Sequence, residues 1–209
     1  MIQEVTSLVD TRSDRLQEID PSGSAKRRIK KLKRRLHQSP GPNFCWHIDG
    51  YDKLKHFGFP IHGCMDGFSR KLIWLDFVDS NNNPHVIADL YLNAVNKFNC
   101  IPKKIRSDHD TENVIVGAAQ QFFLDEPTAH IFGSSHSNQR IEGWWSYFRK
   151  NHISFIIDLF KELVAEGHYD TENVFEREAI NFCFADLIKK ELMDLLTLWN
   201  SHHIRHSNH

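Results

Sequence analysis

Between Phe44 and Val78 the chain carries three short runs of aromatic and β-branched residues, FCWHID (44–49), FGFPIHGCM (57–65) and KLIWLDFV (71–78). Turn material separates them at Gly50-Tyr51-Asp52 and Asp66-Gly67. Runs of this length and composition, punctuated in this way, predict consecutive antiparallel strands. The period then changes. Val86, Ile87, Leu90, Ala94 and Val95 mark one face of a helix over 83–98, which Pro84 can open from its first turn. KKIRSD, after Pro102, predicts a fourth strand ending at Asp108, and 112–123 a short helix. A brief fifth strand is expected at 129–132, then a helix over 137–150 capped by Ser137. Beyond Asn151 the pattern is helical, over 155–165 and again over 179–199, where Ile180, Phe184, Leu187, Ile188, Leu192, Leu195 and Trp199 share adjoining faces. Three antiparallel strands followed by αβ crossovers predict an α/β fold with a mixed sheet covered by helices.

The amino-terminal part has a different character. KRRIKKLKRR (26–35) puts eight basic residues into ten positions, with Ile29, Leu32 and Leu36 on one narrow stripe. This predicts a docked helix whose remaining faces are strongly positive, fit for phosphates or for a nuclear-import receptor. Lys26, Arg27, Arg28, Lys30, Lys31, Lys33, Arg34 and Arg35 are therefore candidate nucleic-acid contacts. The first 43 residues hold ten basic against five acidic side chains, although the whole chain balances at a net charge of -1. The basic arm thus precedes an acidic body. Ser39-Pro40-Gly41-Pro42 breaks the helix and marks a boundary. The expected organisation is a basic helical segment over 1–42, an α/β core over 43–152 and a helical extension over 153–209.

Composition narrows the class. With 40% apolar and 11% aromatic residues in 209, the chain can bury a core, and neither a disordered polymer nor a large solenoid fits. Cys45, Cys64, Cys100 and Cys183 lack metal-finger spacing, so no zinc is predicted. No run approaches the roughly 18 apolar residues of a membrane span. An intracellular protein with reduced thiols and no membrane partner is expected.

Three acids stand where solvation alone does not account for them. Asp49 ends one apolar strand, Asp108 ends another, and Glu142 lies among Ile141, Trp144 and Trp145 on a helix. Carboxylates converging from two strand ends and a helix repel one another unless protonated or neutralised by a divalent cation. Mg2+, or Mn2+, suits an all-oxygen set, and two such ions roughly 3.5 to 4 Å apart can serve an in-line phosphoryl displacement. Asp52, Asp66, Glu112 and Asp125 read instead as turn or helix-start residues. Trp144 reads as packing, and Trp145, three positions past Glu142, is open to either role. His202, His203, His206 and His209 read as a polar terminus.

The segments WHIDGYDKL (46–54), IHGCMDGFSRKLIWL (61–75), IRSDHDTEN (105–113) and SSHSNQRIEGWW (134–145) together resemble the integrase core domain of retroviral-type integrases and DDE transposases, most of all the transposon-derived integrase-core proteins of eukaryotes. Thirty-three residues separate Asp108 from Glu142, close to that family's spacing. The resemblance implies a ribonuclease H-like fold with a five-stranded mixed sheet. It also implies Asp49, Asp108 and Glu142 as catalytic metal ligands, and Mg-dependent phosphodiester strand transfer or nicking on DNA. By the same resemblance Arg149 is a DNA contact, Asn138 and Gln139 orient substrate, and paired-end chemistry makes a homo-oligomer possible. The family has Gly two positions after the second Asp, where this chain has Asp110. A left-handed turn there, and lost or altered activity, are the expectations attached to that departure. The segment around 20–36 resembles the tail of a helix-turn-helix region, and LTLWNSHHIRHSNH (196–209) the stretch after the core, so a fragment or a shortened descendant is expected. The alternative to an enzyme is a domesticated, catalytically inactive nucleic-acid-binding or protein-interaction module. A nuclear location fits either.

Overall fold

The computed structural model describes residues 39–133 and 138–202. The basic run 26–35, Ser137, and the histidines at 203, 206 and 209 lie outside the described residues. The described residues all lie in the compact unit Ser39–His209.

Strands β1 (Cys45–Tyr51), β2 (Ile61–Asp66) and β3 (Leu72–Phe77) form an antiparallel meander. Helix α1 (Pro84–Phe98) leads to β4 (Lys104–Ser107), which lies parallel to β1, and α2 (Val114–Leu124) leads to β5 (His130–Phe132), parallel to β4. The sheet order is β3-β2-β1-β4-β5. Helix α3 (Gln139–Phe148) passes through a π-helical turn (Arg149–Ile153) into α4 (Ser154–Ala165), and α5 (Val174–Ser201) closes the described chain. This is the predicted α/β fold: a mixed five-stranded sheet flanked by helices, with a helical C-terminus, as a ribonuclease H-like core requires.

Local chemistry explains the boundaries that differ from the sequence pattern. β2 starts at Ile61 rather than 57, because Lys55–Phe57 forms a 3-10 turn closed by Gly58 at φ 88. That left-handed angle favours glycine. Helix α5 begins at Val174, five residues before the apolar stripe does, because the Asn173 side chain caps it by accepting from Phe175 N–H. β1 runs two residues past Asp49 to Tyr51.

Alternation along β1 sorts its side chains between two cores. Trp46 and Ile48 join Cys64, Trp74 and residues of α1 and α2 on one face. Tyr51 joins Trp144, Trp145 and Phe148 of α3, Phe160 of α4, and Ile188 and Leu192 of α5 on the other. The end of α5 secures the outer strand. Asn200 donates from Nδ2 to Leu72 O at 2.9 Å and accepts from Leu72 N–H at 2.8 Å, and Trp199 Nε1 donates to Arg70 O at 2.8 Å. The backbone of Leu72, on an edge strand open to pairing, is thereby occupied.

At the other edge His130 is buried, its Nε2 2.9 Å from Ser107 Oγ, and that hydroxyl donates to Asp108 O at 2.9 Å. Burial pulls the imidazole pKa down to about 4, so the ring is neutral at physiological pH. Gly117 makes room for it: a Cβ there would lie 2.1 Å from His130 Nδ1. Gly117→Ala is expected to cost about 2 kcal/mol in urea unfolding by displacing this ring. Gly143→Ala, on an α3 position with open space around it, is expected to be neutral or slightly stabilising.

Candidate metal centre on the sheet

Helix α3 is placed by the residue that precedes it. Asn138 is 1% exposed; its Oδ1 lies 2.7 Å from His47 Nδ1, which acts as donor, and its Nδ2 donates to Ile48 O at 2.9 Å. Both bonds reach β1, so the helix starts at a fixed point on the central strand. Asn138 O then accepts from Glu142 N–H at 3.3 Å, which puts Glu142 one turn into the helix. The carboxamide expected to orient substrate is instead spent on positioning this helix.

One turn further, Trp145 lies over β2. Gly63 is the register partner of Asp49, and a Cβ on it would sit 2.9 Å from Trp145 Cη2. Bare backbone at Gly63 therefore lets the indole lie flat enough to donate from Nε1 to Asp49 Oδ2 at 2.9 Å. Tyr51 flanks the same indole at a centroid distance of 5.0 Å. The open question of Trp145 resolves here: it is 5% exposed, a core residue whose one polar atom serves Asp49.

Burial pushes the Asp49 pKa up to about 8, and the charges of Glu142 and then Asp108 add to the rise, against the bonds from Trp145 and Gly50. Two of the acids picked out in the sequence thus act electrostatically on the third, but the carboxylate oxygens of Asp49, Asp108 and Glu142 do not all lie within 4.8 Å of one another. Asp108 follows β4, accepts from Asn113 Nδ2 at 3.1 Å, and has its pKa raised by burial and then by Asp110. The tightest acidic group among the described residues is a different one. Asp108, Asp110 and Glu112 each bring a carboxylate oxygen within 4.8 Å of the others. Glu112, which read as a helix-start residue, has its pKa raised by burial and by the charges of Asp110, Asp108 and Asp52. The sequence carried no clear signal for it, since Glu112 lies in the 3-10 turn Thr111–Asn113, where the two-residue alternation of a strand does not operate.

Asp110 does not adopt the left-handed backbone expected of a glycine substitute. Its φ of -73 and ψ of 150 are extended, a conformation open to any residue, and it precedes the 3-10 turn Thr111–Asn113. The departure from the family pattern is thus one of charge and not of strain. Asp66 is a turn residue as read, accepting from Asn43 N–H at 2.9 Å and from Ser69 N–H at 2.7 Å. Gln139 and Arg149 are exposed, and the Arg149 charge draws the raised pKa of Tyr51 back down.

The family model described as "Integrase core domain" matches residues 36–209. The chain belongs to the integrase core domain family. A comparison with curated proteins finds no match. In this integrase core no helix among the described residues is long and apolar enough to cross a membrane.

The raised Asp49 pKa fixes the sign of a pH effect. The native state holds a proton that the unfolded chain releases near pH 3.8, so this group's stabilisation is complete below that pH and is lost as pH rises toward about 8. In EDTA the melting temperature of the integrase core is expected to fall across that window. Asp49→Asn should flatten the fall and raise Tm at pH 8 by about 5 °C, on the scale of a few kcal/mol or less for a domain of this size. Scanning calorimetry at stepped pH checks it.

Proposed function

We propose that this integrase core binds DNA and carries out divalent-metal-dependent phosphodiester nicking or strand transfer, with Asp49, Asp108 and Glu142 as metal ligands. The observation that carries this reading is the Asp49 carboxyl group. It is half-buried and donated to by an indole, and desolvation first, then the charges of Glu142 and Asp108, raise its pKa to about 8. A divalent cation there would compensate the repulsion that these acids exert on Asp49, and all-oxygen donors fit Mg2+ or Mn2+. Bound there, two such ions would supply activation of the attacking oxygen and stabilisation of the leaving oxygen.

The protein's own contributions are positional. Trp145 fixes one Asp49 oxygen. Asn138 holds the start of α3 to β1 and so sets the reach of Glu142. The chain Asp108 O, Ser107 Oγ, His130 steadies the end of β4. Exposed Gln139 and Arg149 stand at the two ends of α3 to meet a phosphate backbone, and the basic run 26–35 adds sequence-independent attraction.

Incubation of the chain with end-labelled duplex DNA and Mg2+ or Mn2+ tests this. Cleaved or joined products are expected from the native sequence, with a loss of at least about 100-fold in Asp49→Asn, Asp108→Asn and Glu142→Gln and unchanged DNA affinity. Equal product from native and variant chains would overturn the assignment.

A second reading is favoured by Asp110 and Glu112. Their carboxylates share Asp108's surroundings, and the added negative charge both draws an ion off the Asp49 side and repels a phosphodiester. On that reading the chain binds nucleic acid without turning it over. Asp110→Gly separates the two: a rise in metal-dependent cleavage marks an enzyme held back by charge, and no cleavage in either form marks a binding module. Ala at Lys30, Lys31, Lys33, Arg34 and Arg35 is expected to flatten the salt dependence of DNA binding by up to about 0.9 for each phosphate that these side chains neutralise.

A further inference from the structure

Between β4 and α2 the chain places three carboxylates on one short turn. Asp108, Asp110 and Glu112 each bring an oxygen within 4.8 Å of the other two, and neither Asp49 nor Glu142 belongs to that group. Like charges at such distances repel unless something opposes them. The ion pairs among the described residues, Lys55 with Asp52, Lys161 with Asp158 and His168 with Glu166, do not reach these acids. Helix α2 starts at Val114 and turns its positive end toward them, but that end is worth only about half an elementary charge. It cannot balance three carboxylates.

Asn113 supplies the second observation. It stands at the cap position of α2, where an asparagine oxygen ordinarily accepts from a backbone N–H of the first turn. Here the side chain makes no cap bond. Its Nδ2 donates instead to Asp108 Oδ1 at 3.1 Å, and its Oδ1 has no hydrogen-bond partner although the residue is 1% exposed. A buried acceptor left bare in this way is costly and rare. The two ends of a carboxamide are alike in size and about 2.2 Å apart, so a half-turn brings the oxygen to the place beside Asp108 that the amide now holds. The oxygen that the helix cap does not use is thus available to the one crowded group of carboxylates.

A cation at this turn answers both the repulsion and the bare oxygen. Mg2+ dehydrates reluctantly and is usually held by only one or two carboxylates in a near-octahedral shell, whereas Ca2+ takes roughly six to eight oxygens at irregular angles. Opposite ligands of Ca2+ stand about 4.6 to 5.2 Å apart, twice its bond to oxygen, a span that admits the three carboxylates as they lie. We propose that Asp108, Asp110 and Glu112, completed by the side-chain oxygen of Asn113, form a Ca2+ site on the turn between β4 and α2, distinct from the Asp49 centre. Asp110 and Glu112 serve this site alone, and Asp108 is the residue that the two centres share. The site does not rest on the function proposed above, but one consequence does. Ca2+ on this turn holds Asp108 away from a metal on Asp49 and Glu142, and so acts as a brake on that chemistry.

Calorimetric titration of CaCl2 into the full, metal-free chain tests this. One Ca2+ is expected to bind with a dissociation constant of about 0.1 to 1 mM. Tm should rise by about 3 to 10 °C at about 10 mM Ca2+. Asp110→Asn and Glu112→Gln, which keep shape and remove one charge each, should each weaken binding about tenfold or more. Asn113→Asp, with oxygen at both ends, should bind at least as tightly as the native chain. Asp49→Asn and Glu142→Gln remove the same charge from farther off, and should change the affinity by no more than about threefold. A native chain that takes up no Ca2+ at that concentration, weaker binding by Asn113→Asp, or a loss in Asp49→Asn and Glu142→Gln as large as in Asp110→Asn and Glu112→Gln would overturn the inference. Neither DNA nor turnover enters the measurement. A chain that cuts no DNA yet binds Ca2+ through Asp110 and Glu112 leaves the inference standing, and one that cuts DNA but binds no Ca2+ there refutes it.

Discussion

The indole of Trp145 lying across Gly63 is the contact on which the candidate site depends. It is a packing interaction and a polar one at once. The ring fills the core between α3 and the sheet, and its Nε1 reaches Asp49 Oδ2 at 2.9 Å only because residue 63 has no side chain. A methyl group at 63 would meet the far end of a rigid, buried ring that has nowhere to swing. The cost of holding a carboxyl group in this place is visible in the Asp49 pKa near 8, which one indole donor and one backbone donor do not offset. The fold therefore keeps a destabilising group at its centre, and keeps a donor and a bare backbone position to hold it.

Much of this was legible in the sequence, for reasons that differ by element. The strands and α1 showed themselves because each buries one face, and burial imposes a period of two or of 3.6 on apolar residues. The early start of α5 did not show, because Val174 and Phe175 are exposed and only the Asn173 cap marks the boundary. The acids Asp49, Asp108 and Glu142 could be singled out because each stands beside residues that belong in a core. Glu112 could not, since its neighbours are polar and its involvement depends on how the chain turns after β4.

Asn138 shows the limit of reading a role from position alone. A carboxamide one turn before a candidate ligand looks like a substrate contact in sequence. In three dimensions it is the bracket between α3 and β1, with both its ends taken by His47 and Ile48. Such a bracket cannot be inferred from spacing, because its partners are some 90 residues away in the chain. Asp110 shows the converse. Its replacement of a glycine looks like a backbone problem, yet its extended φ and ψ leave only a problem of charge.

The π-helical turn Arg149–Ile153 joins the site to the C-terminal helices by the same economy of position. Phe148 and Ile153 are both buried in one core, five residues apart. On an ideal α-helix five residues span about 500°, which would turn the second of them some 140° away from the first. A turn closed from i to i+5 takes in more residues per revolution and brings Ile153 back toward the face that Phe148 occupies. The extra residue is absorbed on the outside, where Arg149, Lys150 and Asn151 are exposed. Core packing of α4 thus requires the helix to widen where its outer surface becomes basic. The Arg149 charge acts on Tyr51, two residues along β1 from Asp49, so the widened turn sets a cation beside an otherwise acidic centre.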